Sequence, residues 1–179
     1  MADMPQPAIV EWGELSQLGS VPAQARVAAV VKSPDGRSLS ILLEGLHVRC
    51  EGNGQKAATA VFVGSIDAKI PAKTDWTATR ADFRGQLALT DGGRATVQFG
   101  LARGIDGQTF VAPLEGAANS VEFVRTLYSP AEAWPPTGGT ESASYAPVTL
   151  SIQLTLACPG DSSAGLAAVD SIDLELWVR

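Results

Sequence analysis

The chain has 179 residues, of which 45% are hydrophobic and 18% are charged, and this composition is typical of a folded globular domain. A formal net charge of −6 and the absence of any cluster of Lys and Arg argue against nucleic acid and anionic membranes as partners. No apolar run approaches the roughly 20 residues that span a bilayer, so no transmembrane segment is predicted. The first residues of the sequence also lack the basic and apolar regions of a signal peptide.

The chain begins with a segment that has little pattern. Residues 1–24 contain three prolines and one short apolar run, and they predict an extended arm before a single domain over 25–179. Residues 25–31 form an apolar strand that ends at the sequence Ser33-Pro34-Asp35-Gly36. Pro at the second position and Gly at the fourth are typical of a type I turn.

The next strand signals contain two informative glycines. Between residues 38 and 50 the apolar positions change from odd to even numbers across Gly45. Such a change of phase predicts a β-bulge, or a bend where the strand passes between two sheets. Further along, the pair Asp91-Gly92 between two apolar runs predicts a β-hairpin.

The clearest strand lies near the end of the chain. From Val148 to Cys158 every second residue is apolar, while hydroxyl and amide residues alternate with them up to Thr155. This period of two predicts the central strand of a sheet. A last strand is predicted over 169–178, and no segment has a helical period. We therefore predict an all-β, two-sheet antiparallel sandwich of about ten strands with little or no helix, for which a jelly roll is one arrangement.

The two cysteines, Cys50 and Cys158, both fall in the apolar phase of their strands and should face the same core. They are predicted either to form a disulfide or to remain as two buried thiols. A bridge would favour an exported protein, so a secreted or periplasmic location is expected, with the cytosol as the alternative.

Few residues suggest catalysis. His47 is the single histidine, and its phase places it on the wetter side of its strand, where a solvated residue is expected. The sequence contains no nucleophile elbow, phosphate-binding loop, dinucleotide fingerprint or zinc peptidase motif. A calcium site near Asp161 or Asp170 has only a weak signal. No catalytic residue, metal site or cofactor is predicted.

Two places could bind a ligand. On the last strand Trp177 is predicted to point outward beside Asp173 and Glu175, which resembles a platform for a sugar ring and equally a strand covered by a loop. The loop 129–144 is rich in Pro and Gly, and long ordered loops are often functional. Within that loop Trp134 and Thr137 are the candidate ligand-binding residues.

Four short segments resemble, in order, the DUF4360 family of small secreted β-rich proteins of unknown function. They are RADFRGQLALTDGG at 80–93, APLEG at 112–116, WPPTGG at 134–139 and VDSID at 169–173. The resemblance implies export and a β fold, and it implies no activity. Thr137 stands where the family usually has a cysteine, and no cysteine follows the final strand, so the family's disulfide pattern is not implied for this chain.

Three functions remain open at this point. The first is a non-catalytic exported binding module that contacts a carbohydrate or protein surface through the loop 129–144 and Trp177. The second is a toxin-like or host-directed protein that acts at a cell surface by assembling, since strands that alternate Thr and Ser with aliphatic residues also suit amphipathic assemblies. The third is a glycoside-acting enzyme that uses two aspartates.

Overall fold

A computed structural model of the protein describes residues 6–7, 9–51, 57–70, 76–90, 92–103, 106–114, 121–128, 144–160 and 163–178. These residues contain twelve strands and no helix, so none of them forms an apolar helix that could cross a membrane. The strands are β1 (Gln6–Pro7), β2 (Glu11–Val21), β3 (Arg26–Lys32), β4 (Ser38–Glu44), β5 (His47–Glu51), β6 (Ala57–Ile70), β7 (Trp76–Leu89), β8 (Arg94–Arg103), β9 (Asp106–Leu114), β10 (Val121–Tyr128), β11 (Ser144–Ala157) and β12 (Ala164–Val178).

The strands form two antiparallel sheets. Sheet A has the order β10-β7-β12-β4-β3, and β1 and β5 also pair with β12. Sheet B has the order β2-β6-β11-β8-β9. The predicted all-β, two-sheet antiparallel sandwich is confirmed, with twelve strands where about ten were expected.

The pairing of the strands is nested. β4 pairs with β12, β6 with β11, β7 with β10 and β8 with β9, and these four pairs lie alternately in sheet A and sheet B. This is the arrangement of one long antiparallel ribbon that has been rolled into two sheets. The eight strands therefore form a jelly roll, which is one of the arrangements the strand pattern allowed.

The core lies between the two sheets, and β11 runs through the middle of sheet B. Its five apolar residues at alternate positions from Val148 to Leu156 are each at most 1% exposed, which confirms the predicted central strand. Phe83 of sheet A and Phe99 of sheet B meet across the core edge to face, with 5.5 Å between the ring centroids. Aromatic rings favour this geometry because the edge of one ring is positive and the face of the other is negative.

Gly45 separates β4 from β5, and it adopts a φ of 75°. Both strands stay in sheet A and pair with successive parts of β12, so the chain does not change sheets there. β12 has its own irregularity between Val169 and Ser171. The change of phase at Gly45 lies beside the irregularity of β12. Because both changes occur at the same height in the sheet, apolar residues point into the core before and after them.

A disulfide joins Cys50 of β5 to Cys158, which directly follows β11. The Cα atoms are 6.5 Å apart, and both residues are at most 2% exposed. The bond therefore links sheet A to sheet B at one end of the sandwich.

Two strands, β2 and β12, differ in extent from the sequence-based expectation. Residues 11–21, expected within an arm, form the strand β2, which pairs with β6 at the edge of sheet B. Two register shifts interrupt β2, and they remove the period of two from its sequence. β12 begins at Ala164 rather than at residue 169, because its irregularity likewise hides the alternation.

The predicted hairpin at residues 91–92 is wrong. The strands on its two sides, β7 and β8, lie in different sheets and do not pair. Gly92 has a φ of 79°, as a tight turn requires. The turn residues reverse the chain, but side-chain packing determines which strands pair. β7 lies between β10 and β12, and β8 lies between β9 and β11.

Candidate functional site

The outer face of sheet A carries a group of charged residues near its centre, which we call the polar cluster. β7 contributes every second residue from 80 to 84, and β12 contributes the two predicted acids. The members of the polar cluster are Arg80, Asp82, Arg84, Asp173 and Glu175. With two positive and three negative residues, its formal charge is −1.

The cluster is organised around two aspartates that lie directly opposite each other. The register pairs Asp82 with Asp173, an arrangement that is unfavourable for two like charges. Each acid has its own guanidinium: Arg80 lies 2.8 Å from Asp82, and Arg84 lies 3.0 Å from Asp173. Arg80 also lies 3.7 Å from Glu175. The arginines therefore offset the repulsion between the acids.

Hydroxyl groups from the neighbouring strands bind the remaining oxygens of the two aspartates. Ser40 on β4 donates a hydrogen bond to Asp173 Oδ1, and Thr126 on β10 donates one to Asp82 Oδ1. Each aspartate thus accepts a hydroxyl with one oxygen and a guanidinium with the other. Both side chains are held in place before any ligand arrives, while their exposed fractions of 19% and 25% leave them accessible.

A hollow of about 540 Å³ adjoins the polar cluster at Glu175. The turn between β3 and β4 forms one side of this pocket, and Glu175 of β12 forms the other. Its described lining is Ser33, Pro34, Asp35, Arg37, Ser38 and Glu175. The volume lies within the range of ligand pockets, which is roughly 300–1,000 Å³.

Asp35 in this turn has a lowered pKa. The hydroxyl of Ser33 and the backbone N–H of Arg37 stabilise its carboxylate, and the charge of Arg37 adds a smaller effect. The turn is thereby stabilised in the anionic form of Asp35.

We expect a carboxyl NMR titration to place the midpoint of Asp35 below its ordinary value of 3.8. Because the folded-state pKa is lower than that of the unfolded chain, this contribution to stability is present above the unfolded pKa and is lost as the pH falls through the folded one. The Ser33→Ala variant removes the hydroxyl and should move the midpoint upward. An unchanged midpoint in this variant would contradict the assigned cause.

Trp177 lies next to the cluster on β12, but only part of its ring is open. The residue is half-buried, and its indole nitrogen is buried. Trp177 lies where the short strand β1 pairs with β12, opposite Pro7 in the register. Asp173 and Glu175 thus lie together on the accessible face, and Trp177 contributes a partly covered ring at its margin.

Apolar residues border the polar cluster on the side of β3. Val31 pairs with Ser40 and is 53% exposed, and Leu42 pairs with Ser171 and is 40% exposed. The outer face of sheet A therefore offers charged and apolar contacts side by side.

The remaining residues singled out in the sequence lie outside the polar cluster or outside the described residues. Trp134, Thr137 and Asp161 lie outside the described residues, as does most of the loop 129–144. His47 and Asp170 are both exposed. In the described part of the chain, no three His, Cys, Asp or Glu residues are grouped so that they could hold a metal ion.

Sequence reasoning missed the other charged residues of the polar cluster and the hydroxyl groups that bind its two aspartates. Arg80, Asp82 and Arg84 occupy alternate positions of β7, and this polar alternation was a usable signal for one wet face. Ser40 and Thr126 had no such signal, because only the register of four strands brings them to the aspartates.

Comparison with known proteins gives weak structural similarities only. No family model matches the chain, and no curated protein matches it in sequence. TmCBM61, solved in complex with beta-1,4-galactotriose, is 7% identical with a TM-score of 0.29, covering 93% of this chain and 90% of that one. The mannan-recognising carbohydrate-binding module TmCBM27 is 8% identical with a TM-score of 0.29, covering 95% and 98%.

A third similar structure is an enzyme. The enzymatically active domain of the bacteriophage CBA120 tailspike protein 4 is 10% identical with a TM-score of 0.31 and matches 92% of this chain, which spans 19% of that protein. TM-scores this low do not identify a shared binding site.

Proposed function

We propose that the protein is a non-catalytic carbohydrate-binding module that contacts a polysaccharide through the outer face of sheet A. The polar cluster supports this proposal most directly. Sugar hydroxyls both donate and accept hydrogen bonds, and a surface that recognises them needs fixed donors and acceptors at short spacing. Arg80 and Arg84 supply donors, and Asp82, Asp173 and Glu175 supply acceptors.

The fixed positions of the aspartate side chains favour ligand binding over catalysis. Ion pairs and hydroxyl hydrogen bonds hold the aspartates before a ligand arrives, which reduces the entropy lost on binding. Glycosidase carboxylates flank the scissile bond, whereas Asp82 and Asp173 share one outer sheet face and each contacts an arginine. The exposed Val31 and Leu42 add apolar surface for the carbon faces of a sugar ring.

A binding module of this kind works outside the cell. The buried disulfide supports that location, because disulfides persist in oxidising compartments. The resemblance to a secreted family at 169–173 supports it as well, and this segment contains Asp173 of the polar cluster.

Affinity electrophoresis with a panel of soluble neutral polysaccharides tests the proposal. We expect at least one polymer to retard the protein, and we expect Glu175→Gln to weaken the association about tenfold. A hydrogen bond to a charged group contributes roughly 1.5–3 kcal/mol, and a change of about 1.4 kcal/mol corresponds to tenfold.

The matched control is Glu11→Gln, which removes the same charge from an exposed, ion-paired acid of β2, at the edge of sheet B. It should bind like the unaltered protein. Failure of every polymer to retard the protein, or equal retardation of both variants, would count against the proposal.

A further inference from the structure

The outer face of sheet B has a centre without charge. Among the residues that the structure describes, the register aligns uncharged outward positions in four rows across the sheet, which we call the neutral face. The rows are Val21–Val61–Gln153–Gln98–Val111, Thr59–Thr155–Thr96–Pro113, Gly19–Val63–Ser151–Gly100–Thr109 and Ser16–Ser65–Thr149–Ala102. Arg94 and Asp67 lie one row beyond, at opposite ends.

This lack of charge is unusual for an open surface. The chain carries 32 formally charged Lys, Arg, Asp and Glu residues and a net charge of −6, and the opposite face of the sandwich has five charged residues at its centre. Depletion of charged residues distinguishes the core of a protein interface from the rest of the surface. Val21 and Val111 are each 61% exposed on this face.

We propose that two copies of the chain associate weakly through their neutral faces. The net charge of −6 makes approach of two copies unfavourable in general, and the neutral face is a surface on which no like charges are brought together. Its Gln and Thr side chains each both donate and accept hydrogen bonds, so the face can pair with itself.

The order of the strands suits a two-fold axis that lies between the two copies and runs parallel to β11, the middle strand of five. Rotation about this axis places β2 of one copy over β9 of the other, and β6 over β8. Gln153 then meets Gln153 of the second copy at the axis. Val21 meets Val111, so these two exposed apolar side chains cover each other.

The area of the face places the association at the lower limit of interface size. Five strands at about 4.8 Å and four rows at about 6.8 Å give roughly 600 Å² per copy. Two copies bury roughly 1,200 Å², which is the lower limit for a stable specific interface. The dimer is therefore expected to be weak and to depend on concentration. The polar cluster lies on the opposite face of the sandwich and stays exposed in the dimer. The association therefore does not depend on the proposed function.

Sedimentation velocity of the full chain from micromolar to millimolar concentration tests the dimer. We expect the mass to rise toward that of two copies. Gln153→Lys places two like charges at the axis and should raise the dimer dissociation constant at least tenfold. Val111→Lys, at an exposed edge position that is less sensitive to folding, should act in the same direction. Gln86→Lys is the matched control on the exposed outer face of sheet A, and it should associate like the unaltered protein.

A single species with the mass of one copy over the whole range would overturn the proposal. Association that is equally strong in Gln153→Lys would also overturn it. A third outcome identifies another occupant: if the unaltered protein stays monomeric and Gln153→Lys loses retardation by a neutral polysaccharide, the neutral face binds glycan and the dimer is rejected. Thermal unfolding of each variant, followed by circular dichroism, verifies that it is folded.

Discussion

Loss of the disulfide between Cys50 and Cys158 is expected to lower the free energy of unfolding by about 4–5 kcal/mol. The bond joins residues 108 positions apart, and a cross-link over such a long loop removes much of the conformational entropy of the unfolded chain. A domain of this size is typically stable by only about 5–15 kcal/mol, so the loss is a large fraction of the total. Urea unfolding with and without reductant measures it.

The double variant Cys50→Ala/Cys158→Ala provides the control. It should unfold at lower urea concentration than the unaltered protein, and reductant should have no further effect on it. Mass spectrometry after alkylation under denaturing conditions should find both thiols blocked until reduction. If reductant leaves the unfolding of the native protein unchanged, the disulfide does not contribute the expected stability.

Truncation of Phe83 is expected to have the next largest effect. Phe83→Ala should lower the free energy of unfolding by about 3–5 kcal/mol, because it removes a fully buried ring and leaves a cavity in a packed core. The substitution also removes the edge-to-face contact with Phe99. Equilibrium unfolding in urea gives the change in free energy.

A double-mutant cycle with Phe99→Leu isolates the contact between the two rings. We expect a coupling of about 0.5–1.5 kcal/mol beyond the loss of buried area. Val31→Ala, at a position 53% exposed on the outer face of sheet A, should change stability by less than about 0.5 kcal/mol. A similar loss in Val31→Ala and Phe83→Ala would show that burial between the sheets does not determine the cost.

In the jelly roll, β11 has one buried side and one outward side. The alternation of Thr and Ser with aliphatic residues in β11 suited either a sandwich or an amphipathic assembly. In the structure the aliphatic side of β11 is fully buried against sheet A. Its Thr, Ser and Gln side chains form the middle of the neutral face, where the expected contact is with a second copy.

The alternation within each strand was readable in the sequence because a half-buried strand places successive side chains on opposite sides. The period of β11 and the inward phase of both cysteines follow from this rule, and so does the placement of Asp173 and Glu175 on one face. The turn at residues 33–36 was readable from the positions of its Pro and Gly. β2 and β12 were misjudged in part, since an irregularity in a strand breaks the alternation on which the rule depends.

The partners of each strand could not be read in the same way. A turn such as that at Gly92 requires a particular backbone conformation, and it leaves open whether the next strand continues in the same sheet. The sheet that each strand joins is decided by burial of the apolar side of β7 and the apolar side of β8 in the same core. This burial places β7 in sheet A and β8 in sheet B. The polar cluster and the neutral face exist only through that choice, because residues such as Ser40, Asp82 and Asp173 become neighbours through pairings between strands far apart in the chain.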